Sequence, residues 1–312
     1  MNKLIVSTSP HIKSKDTTQR IMLDVIIALM IPAAAGVVIY GLGALLVILT
    51  CVLSAVLSEF LFNLITKKKQ TVSDLSAVVT GLILGLNLRA DAKLWMCALG
   101  SVFAIVVVKC LFGGLGCNFA NPAATARVFL LVCFSGVLSG GVTPMLSLSP
   151  ELVSGATPLS VMASGGELPS MLDMFLGLRG GAIGESCIAA IILGFIYLAA
   201  RNIIKFETPL IFIATVFALS LIAENSFSVA TYQIMSGGLV FGAVFMATDY
   251  STTPITRTGK MIFAFGCGLI TFLIRYYGSY PEGVSFAILL MNVLSPYIEK
   301  WTAKRPLGGK SK

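Results

Sequence analysis

"LSAVVTGLILGLNL", residues 75–88, and "IMSGGLVFGAVFMA", residues 234–247, decide how this chain is read. Both are apolar, and both fall short of the about 20 residues a helix needs to cross a bilayer. Both are also interrupted by glycine: Gly81 and Gly85 in the first, Gly237, Gly238 and Gly242 in the second. Around them lie further apolar segments at 21–40, 43–65, 94–112, 123–139, 183–200, 207–223, 260–277 and 282–299. When the chain is cut between the fifth and sixth segments, the two short ones take third place in each half. Five spans is an odd number, so a second copy of the unit enters from the opposite side. Paired short segments in inverted halves mark a midplane site lined by discontinuous helices. Such breaks survive only where freed backbone groups meet protein, water or a ligand. Close helix packing is the alternative meaning of the same glycines.

The pattern predicts an all-α integral membrane protein of about ten transmembrane helices in two inverted five-helix halves, with short broken helices at segments three and eight. Its divisions are a cytoplasmic N-terminal segment (1–20), a first half (21–140), an external loop (141–182), a second half (183–300) and a basic tail (301–312). Composition agrees. The chain is 56% hydrophobic and 12% charged, with a mean hydropathy of +0.92, against about a quarter charged in soluble domains. The short alternating segments of a membrane barrel are missing. Residues 1–20 are polar and basic, so no cleavable signal peptide is expected and the first apolar segment stays as a span.

The net charge of +8 is a topology signal. With the N-terminus in the cytoplasm, eighteen Lys and Arg flank the spans inside, while Arg89, Lys93, Arg179 and Arg275 lie outside. That bias puts both termini in the cytoplasm and leaves no nucleic-acid footprint. The seven cysteines form no C-x-x-C pair, and His11 is the one histidine. Metal, haem or cluster ligation by this chain alone is not expected, and no nucleophile–histidine pairing assigns a catalytic residue.

Four polar places stand out. In "KCLFGGLGCNFANPAATARVFL" (109–130), a turn read as cytoplasmic, Asn121-Pro122 starts a helix. Its N-terminus suits an anion or a carbonyl group, and Arg127, one turn in, can meet a phosphate, a flavin carbonyl or a neighbouring carboxylate. A plain re-entrant turn explains the glycines equally well. In "FMATDYSTTPITRTGK" (245–260), Thr248, Asp249, Ser251, Thr252, Thr253 and Thr256 crowd oxygen atoms at the membrane edge. Such a cluster suits a hard cation or a polar ring, and a capped helix connection is the alternative. Glu59 lies inside the second span, where a carboxylate is a functional candidate by default, and Asp24, Glu185 and Glu224 lie near span ends. In the external loop, "SGATPLS" (154–160) is small, turn-forming and accessible, and 168–178 reads as an interfacial amphipathic helix. No histidine, cysteine or lysine lies near Thr157 to activate its hydroxyl.

"GGLGCNFANPAATARVFL", "SGATPLS" and "FMATDYSTTPIT", in this order, resemble the RnfD/NqrB family, the covalent-flavin membrane subunits of ion-pumping electron-transfer complexes. The resemblance spans essentially the whole chain. It implies that Thr157 carries FMN through a phosphoester, attached outside the cytoplasm by a separate flavin transferase, which explains the lack of a local activating group. Ser154, Gly155, Ala156 and Pro158 are then the small neighbours that admit that enzyme, and Asn121 and Arg127 complete the expected cofactor-binding set. The chain lacks the long N-terminal extension of NqrB, which favours the RnfD branch. The resemblance thus implies a redox subunit, not catalytic in isolation, of a ferredoxin:NAD oxidoreductase complex coupling electron transfer to Na⁺ or H⁺ transport. It implies a bacterial or archaeal cytoplasmic membrane and, besides lipid, the partners RnfA, RnfB, RnfC, RnfE and RnfG. Some members of the family also hold a second, non-covalent flavin, riboflavin. The family fold resembles urea and ammonium channels. Reduction of a flavin adds charge that a cation can compensate, and Glu59, Asp249, Thr248 and Thr252 are the candidate cation path. The competing readings are a channel or transporter for a small solute or ion without a redox cofactor, and a structural scaffold.

Overall fold

The structure, a computed structural model, describes residues 17–138, 140–142, 144, 154–155, 157–164, 166, 168–278 and 282–303. The first half comprises α1 (Thr18–Tyr40), α2 (Leu42–Ile65), α3 (Ser76–Asn87), α4 (Leu94–Val102), which continues as a π-helix over Phe103–Cys110, and α5 (Pro122–Cys133). A connecting region follows with α6 (Ser135–Leu138), the two-residue strands β1 (Gly141–Val142) and β2 (Ser154–Gly155), α7 (Pro158–Ser164) and α8 (Met171–Leu176). The second half comprises α9 (Ile188–Ala200), α10 (Glu207–Glu224), α11 (Phe227–Met235), α12 (Leu239–Phe241), which continues as a π-helix over Gly242–Met246, α13 (Arg257–Tyr277) and α14 (Val284–Thr302).

The predicted helical membrane class is found. α1, α2, α10 and α13 are long and apolar enough to cross a membrane, and α11 with α12 and its extension forms a further bent span. α3, α4 with its extension, α5 and α9 are shorter apolar helices. On α2, Leu42, Leu46, Leu49, Leu53, Leu57 and Leu64 form an exposed stripe. Their three- and four-residue spacing puts them on one face, an apolar outer surface suited to lipid rather than water.

The halves pack in parallel ways. α2 lies on α3 and α4 as α10 lies on α11 and α13, while α1 meets α9 and α5 meets α14. α1 and α9 run antiparallel: Asp24 near the start of α1 bonds Tyr197 and Arg201 at the end of α9, and Tyr40 at the end of α1 bonds Ser186 just before α9. α5 and α14 are antiparallel as well, because Arg127 within α5 pairs with Glu282 ahead of α14 while Asn121 at the head of α5 meets Asn292 within it.

The two short segments turn out differently. The eighth is broken: α11 ends at Ser236, Gly237 takes a left-handed φ of 63°, and the chain bends by 63° into α12. The third is not broken, which corrects the expectation of two discontinuous helices. α3 is continuous, and a Cβ on Gly81 would lie 2.8 Å from the Val52 Cα and 2.9 Å from the Cys51 carbonyl oxygen of α2. Its glycines let two backbones touch. α3 is short because Leu75 enters it in the left-handed region, while Asn87 ends it against other elements.

Candidate functional site

Three helix ends converge inside the bundle: the C-terminus of α3, the N-terminus of α5 and the π-helical end of α12. The carbonyls that α3 leaves open are met by the backbone N–H of Gly184 to Leu86 (2.7 Å), that of Ile183 to Leu88 (3.0 Å), and the Arg127 guanidinium to Asn87. At the head of α5, Asn121 caps as its sequence predicts, its Oδ1 accepting from the Ala123 and Ala124 N–H groups. Its Nδ2 donates to the carbonyl of Met246 (3.2 Å), and Asn87 Nδ2 lies 3.4 Å from the Met246 sulfur. Asn292, with its amide oriented to satisfy both neighbours, accepts from the Asn121 N–H and donates to the Thr252 carbonyl. Asn121 is therefore the joint between α5, α12 and α14.

A cavity opens on either side of this junction. The first holds Thr157, Asn87, Arg89, Arg127, Ala182 and Glu282 in its wall, with about 660 Å³ of space between atoms, part of it open to solvent. The second is lined by Ser76, Lys109, Asn118, Asn121, Thr248 and Asp249 among apolar side chains, with about 790 Å³ measured in the same way. Both lie in the size range of small-molecule and cofactor sites. The two π-helices supply Lys109 and Phe245 to the second cavity, consistent with the tendency of wide turns to occur at functional places.

In the first cavity, Thr157 stands just before α7 with Pro158 at the first helical position, and its hydroxyl accepts from the Ser160 N–H (3.3 Å). The sequence reading of an accessible threonine is corrected: Thr157 is 5% exposed. Two long-range attachments bury the loop. Gly141 pairs with Gly155 and Val142 with Ser154, and Leu159 lies where a Cβ on Gly237 would come within 2.9 Å. Ser154 and Gly155 form β2, Pro158 is buried at the head of α7, and Ala156 lies outside the described residues. The helix expected over 168–178 is α8, capped by Ser170 and ended by Gly177 at φ 96°.

Arg127 meets the neighbouring carboxylate among its three foreseen partners. One guanidinium nitrogen reaches Glu282 and the other the Asn87 carbonyl. It lines the Thr157 cavity alongside Arg89, which pairs with Asp91 at 2.6 Å. Two residues counted as cytoplasmic flanks, Lys109 and Arg127, are thus buried ion-pair members and say nothing about topology. Their removal leaves the bias standing.

In the second cavity the oxygen-rich turn folds around Asp249. Its carboxylate accepts from the Ser251 N–H (3.1 Å), the Ser251 hydroxyl and the Thr252 hydroxyl (3.2 Å), while the Thr253 hydroxyl donates to its carbonyl. Burial raises the pKa of Asp249, and the hydrogen bonds from Ser251 and Thr252 act against that rise. Thr248 donates to the Val244 carbonyl. Glu59 is separated from this turn and paired within the chain: Lys109 Nζ lies 2.8 and 2.9 Å from its two oxygens. Its counter-charge is internal.

Sequence reasoning missed Lys109, Asn87 and Glu282 as site residues. Glu282, at the mouth of the last apolar segment, carried a signal in being a carboxylate where a span begins. Lys109 read as a flank, and only its partner fifty residues away reveals its role.

A family model for the NQR2, RnfD, RnfE family matches residues 5–308. The chain is 46% identical over 309 residues to the RnfD subunit of the Na⁺-translocating ferredoxin:NAD⁺ oxidoreductase complex of Acetobacterium woodii, covering 98% of this chain and 95% of that one. It is 38% identical to the RnfD subunit of the proton-translocating complex of Clostridium ljungdahlii, over 96% and 95% of the two chains. It is 35% identical to the corresponding subunit of an ion-translocating oxidoreductase complex of Stutzerimonas stutzeri, over 94% and 93%.

Proposed function

The chain belongs to the NQR2, RnfD, RnfE family, and on that premise we propose that it is the RnfD subunit of an ion-translocating ferredoxin:NAD⁺ oxidoreductase complex, with FMN esterified to Thr157. Ten spans in two inverted halves form the frame of this reading. The antiparallel packing of α1 on α9 and of α5 on α14 is what equivalent helices related by an axis in the membrane plane require. Both termini are cytoplasmic and the Thr157 side is external, in the cytoplasmic membrane of a bacterium or archaeon, with RnfA, RnfB, RnfC, RnfE and RnfG as partner subunits.

One observation carries the flavin reading: Thr157 shares the wall of a cofactor-sized cavity with the guanidinium groups of Arg89 and Arg127. A phosphoester brings negative charge to the threonine oxygen, and Arg is the side chain best matched to phosphate. When bound, the flavin supplies one- and two-electron redox chemistry, while the protein supplies position and electrostatics. Thr157 fixes one end of the group and Arg127, held by Glu282 and Asn87, presents a fixed positive charge to it. The apolar wall, with Leu88, Leu131 and Leu138, keeps water away. Because Thr157 is buried, the flavin transferase acts before the loop closes or on an opened loop. The second cavity is the place for a non-covalent flavin if this chain holds one, and the turn around Asp249 at its edge is the candidate entry for a cation. The names of the relatives include both Na⁺ and proton translocation, so the choice of ion is a matter for measurement.

The test is in-gel flavin fluorescence after full denaturation, comparing wild type with Thr157→Ala, both co-expressed with a flavin transferase. A fluorescent wild-type band that vanishes in the variant supports the reading. A dark wild-type band, with the transferase active on another substrate, overturns it. Two cavities meeting at one junction also suit a solute channel, and flux through the isolated, flavin-free chain in liposomes would favour that second reading.

A further inference from the structure

Behind the wall of the Thr157 cavity lies a cluster of charges that neither the fold nor the flavin reading uses. Glu185, in the loop before α9, is 4% exposed. Its Oε1 accepts the Ala182 N–H at 2.8 Å, and Ala182 itself lines the cavity. Its Oε2 has no hydrogen-bond partner and faces the break in the eighth segment, where a Cβ on Gly238 would lie 2.9 Å away.

Five charged or titratable groups face it. Arg179, on the same loop, directs Nη2 to the Glu185 carbonyl rather than to its carboxylate, and its Nη1 is unpartnered. Arg127 on α5 and Glu282 ahead of α14 form an ion pair with each other. Arg275 on α13 is occupied by the carbonyls of Gln233 and Ser236. Tyr40 on α1 donates to the Arg179 carbonyl. Among the described residues no cation forms a salt bridge with Glu185.

Two opposing effects therefore act on this carboxyl. Burying a charge without a paired, hydrogen-bonded counter-charge costs several kcal/mol and favours the neutral acid. The nearby guanidinium groups of Arg179 and Arg275, which no carboxylate neutralises directly, favour the anion. A group held between such pulls changes state when one further charge arrives. The cavity that would receive it is one hydrogen bond away, through Ala182.

We propose that Glu185 is a proton-binding site linked to the charge state of the Thr157 cavity. This rests on the flavin reading above. When the group in that cavity accepts one electron from a one-electron carrier of the complex, the Glu185 carboxylate accepts one proton from water, forming one O–H bond. When the electron leaves, the proton is released. Charge in the buried region is thereby held constant.

Infrared spectroscopy of the purified full chain tests both parts. In flavin-free Thr157→Ala protein, lowering the pH should bring up a carboxylic-acid carbonyl band. That band should be missing in Thr157→Ala/Glu185→Gln and displaced in Thr157→Ala/Glu185→Asp, the conservative control for folding. No Glu185-dependent band at any pH at which the chain stays folded overturns the proposal. In flavin-loaded protein, the reduced-minus-oxidised spectrum should show a gain of the same band, lost in Glu185→Gln. An unchanged band on reduction overturns the linkage. If wild-type protein carries no flavin, the Thr157 reading fails and takes the redox linkage with it, while the flavin-free titration still reports whether Glu185 binds a proton.

Discussion

Lys109 Nζ bridges both carboxylate oxygens of Glu59, at 2.8 and 2.9 Å, in a place where the two side chains are 2% and 1% exposed. The same ammonium donates to Ser76 at 2.6 Å, and the Thr71 hydroxyl donates to Glu59. One ion pair thus ties α2 and the π-helical end of α4 to the start of α3. The sequence marks Glu59 as a cation-path candidate, and the structure gives it a resident cation. A transported ion would have to displace Lys109, whose charge cannot leave the site.

The pair predicts a stability signature. Removing one partner of a buried ion pair strands the other, at a cost of about 3–5 kcal/mol. Glu59→Gln and Lys109→Met should each lower the melting temperature of the purified chain, and the double variant should lose less than the sum, as coupled neighbours do. A path role alone gives another pattern, with transport lost in Glu59→Gln at unchanged melting temperature. Additive losses in the double variant would show that the two residues are not coupled.

The glycines of the two short segments should respond oppositely. Gly81→Ala drives a Cβ into the backbone of Val52 and Cys51, which cannot move without parting α3 from α2. Overpacking of this kind costs about 1–3 kcal/mol. At Gly238 the same change meets only the Glu185 carboxylate, the free end of a flexible side chain. Gly238→Ala should therefore melt close to wild type and Gly81→Ala well below it. Equal melting temperatures would remove the distinction between a packing glycine and a hinge glycine.

That contrast shows where sequence reading stops. Hydropathy locates the helices because lipid and core both select apolar side chains along the whole segment. The Asn121 cap and the Pro122 start are legible because capping is local, settled within three residues. Glycine in an apolar run carries two meanings, and a backbone some thirty positions away at Val52 decides between them. Lys109 and Arg127 look like topological flanks until partners 50 and 155 positions distant neutralise them. Thr157 is recognisable from its motif, but its burial follows from pairings with Gly141 and Val142 across the loop and from the packing of Leu159.

Arg127 joins α3 to α14 through two different acceptors, the Asn87 carbonyl and the Glu282 carboxylate. Arg127→Gln leaves the carbonyl at the end of α3 and a largely buried carboxylate without their cation. An unsatisfied buried group costs about 1–3 kcal/mol, so the melting temperature should fall. Glu282→Gln keeps the bond to Asn87 and should fall less. If covalent flavin occupies the Thr157 cavity, Arg127→Gln should also alter the flavin's absorption spectrum. An identical melt and spectrum in Arg127→Gln would deny this side chain both roles.

Asp249 offers a prediction in which stability and transport move apart. Burial raises its carboxyl pKa in the folded state, so the folded chain binds this proton more tightly than the unfolded one. The stabilising contribution is full below the ordinary aspartate pKa and is lost as pH rises through the raised folded value. Wild type should therefore lose stability relative to Asp249→Asn over that acid window, and the gap should stay constant at higher pH. Asparagine keeps an oxygen to accept from Ser251 and carries no charge to bury. Melting curves of the two proteins across pH measure the sign directly. Asp249→Asn should be at least as stable as wild type at neutral pH, yet poor in ion transport with flavin content intact, if the turn admits the cation. A variant less stable than wild type at neutral pH would mean that the ionised carboxylate organises the turn through Ser251 and Thr252, and the transport reading of this residue would lose its basis.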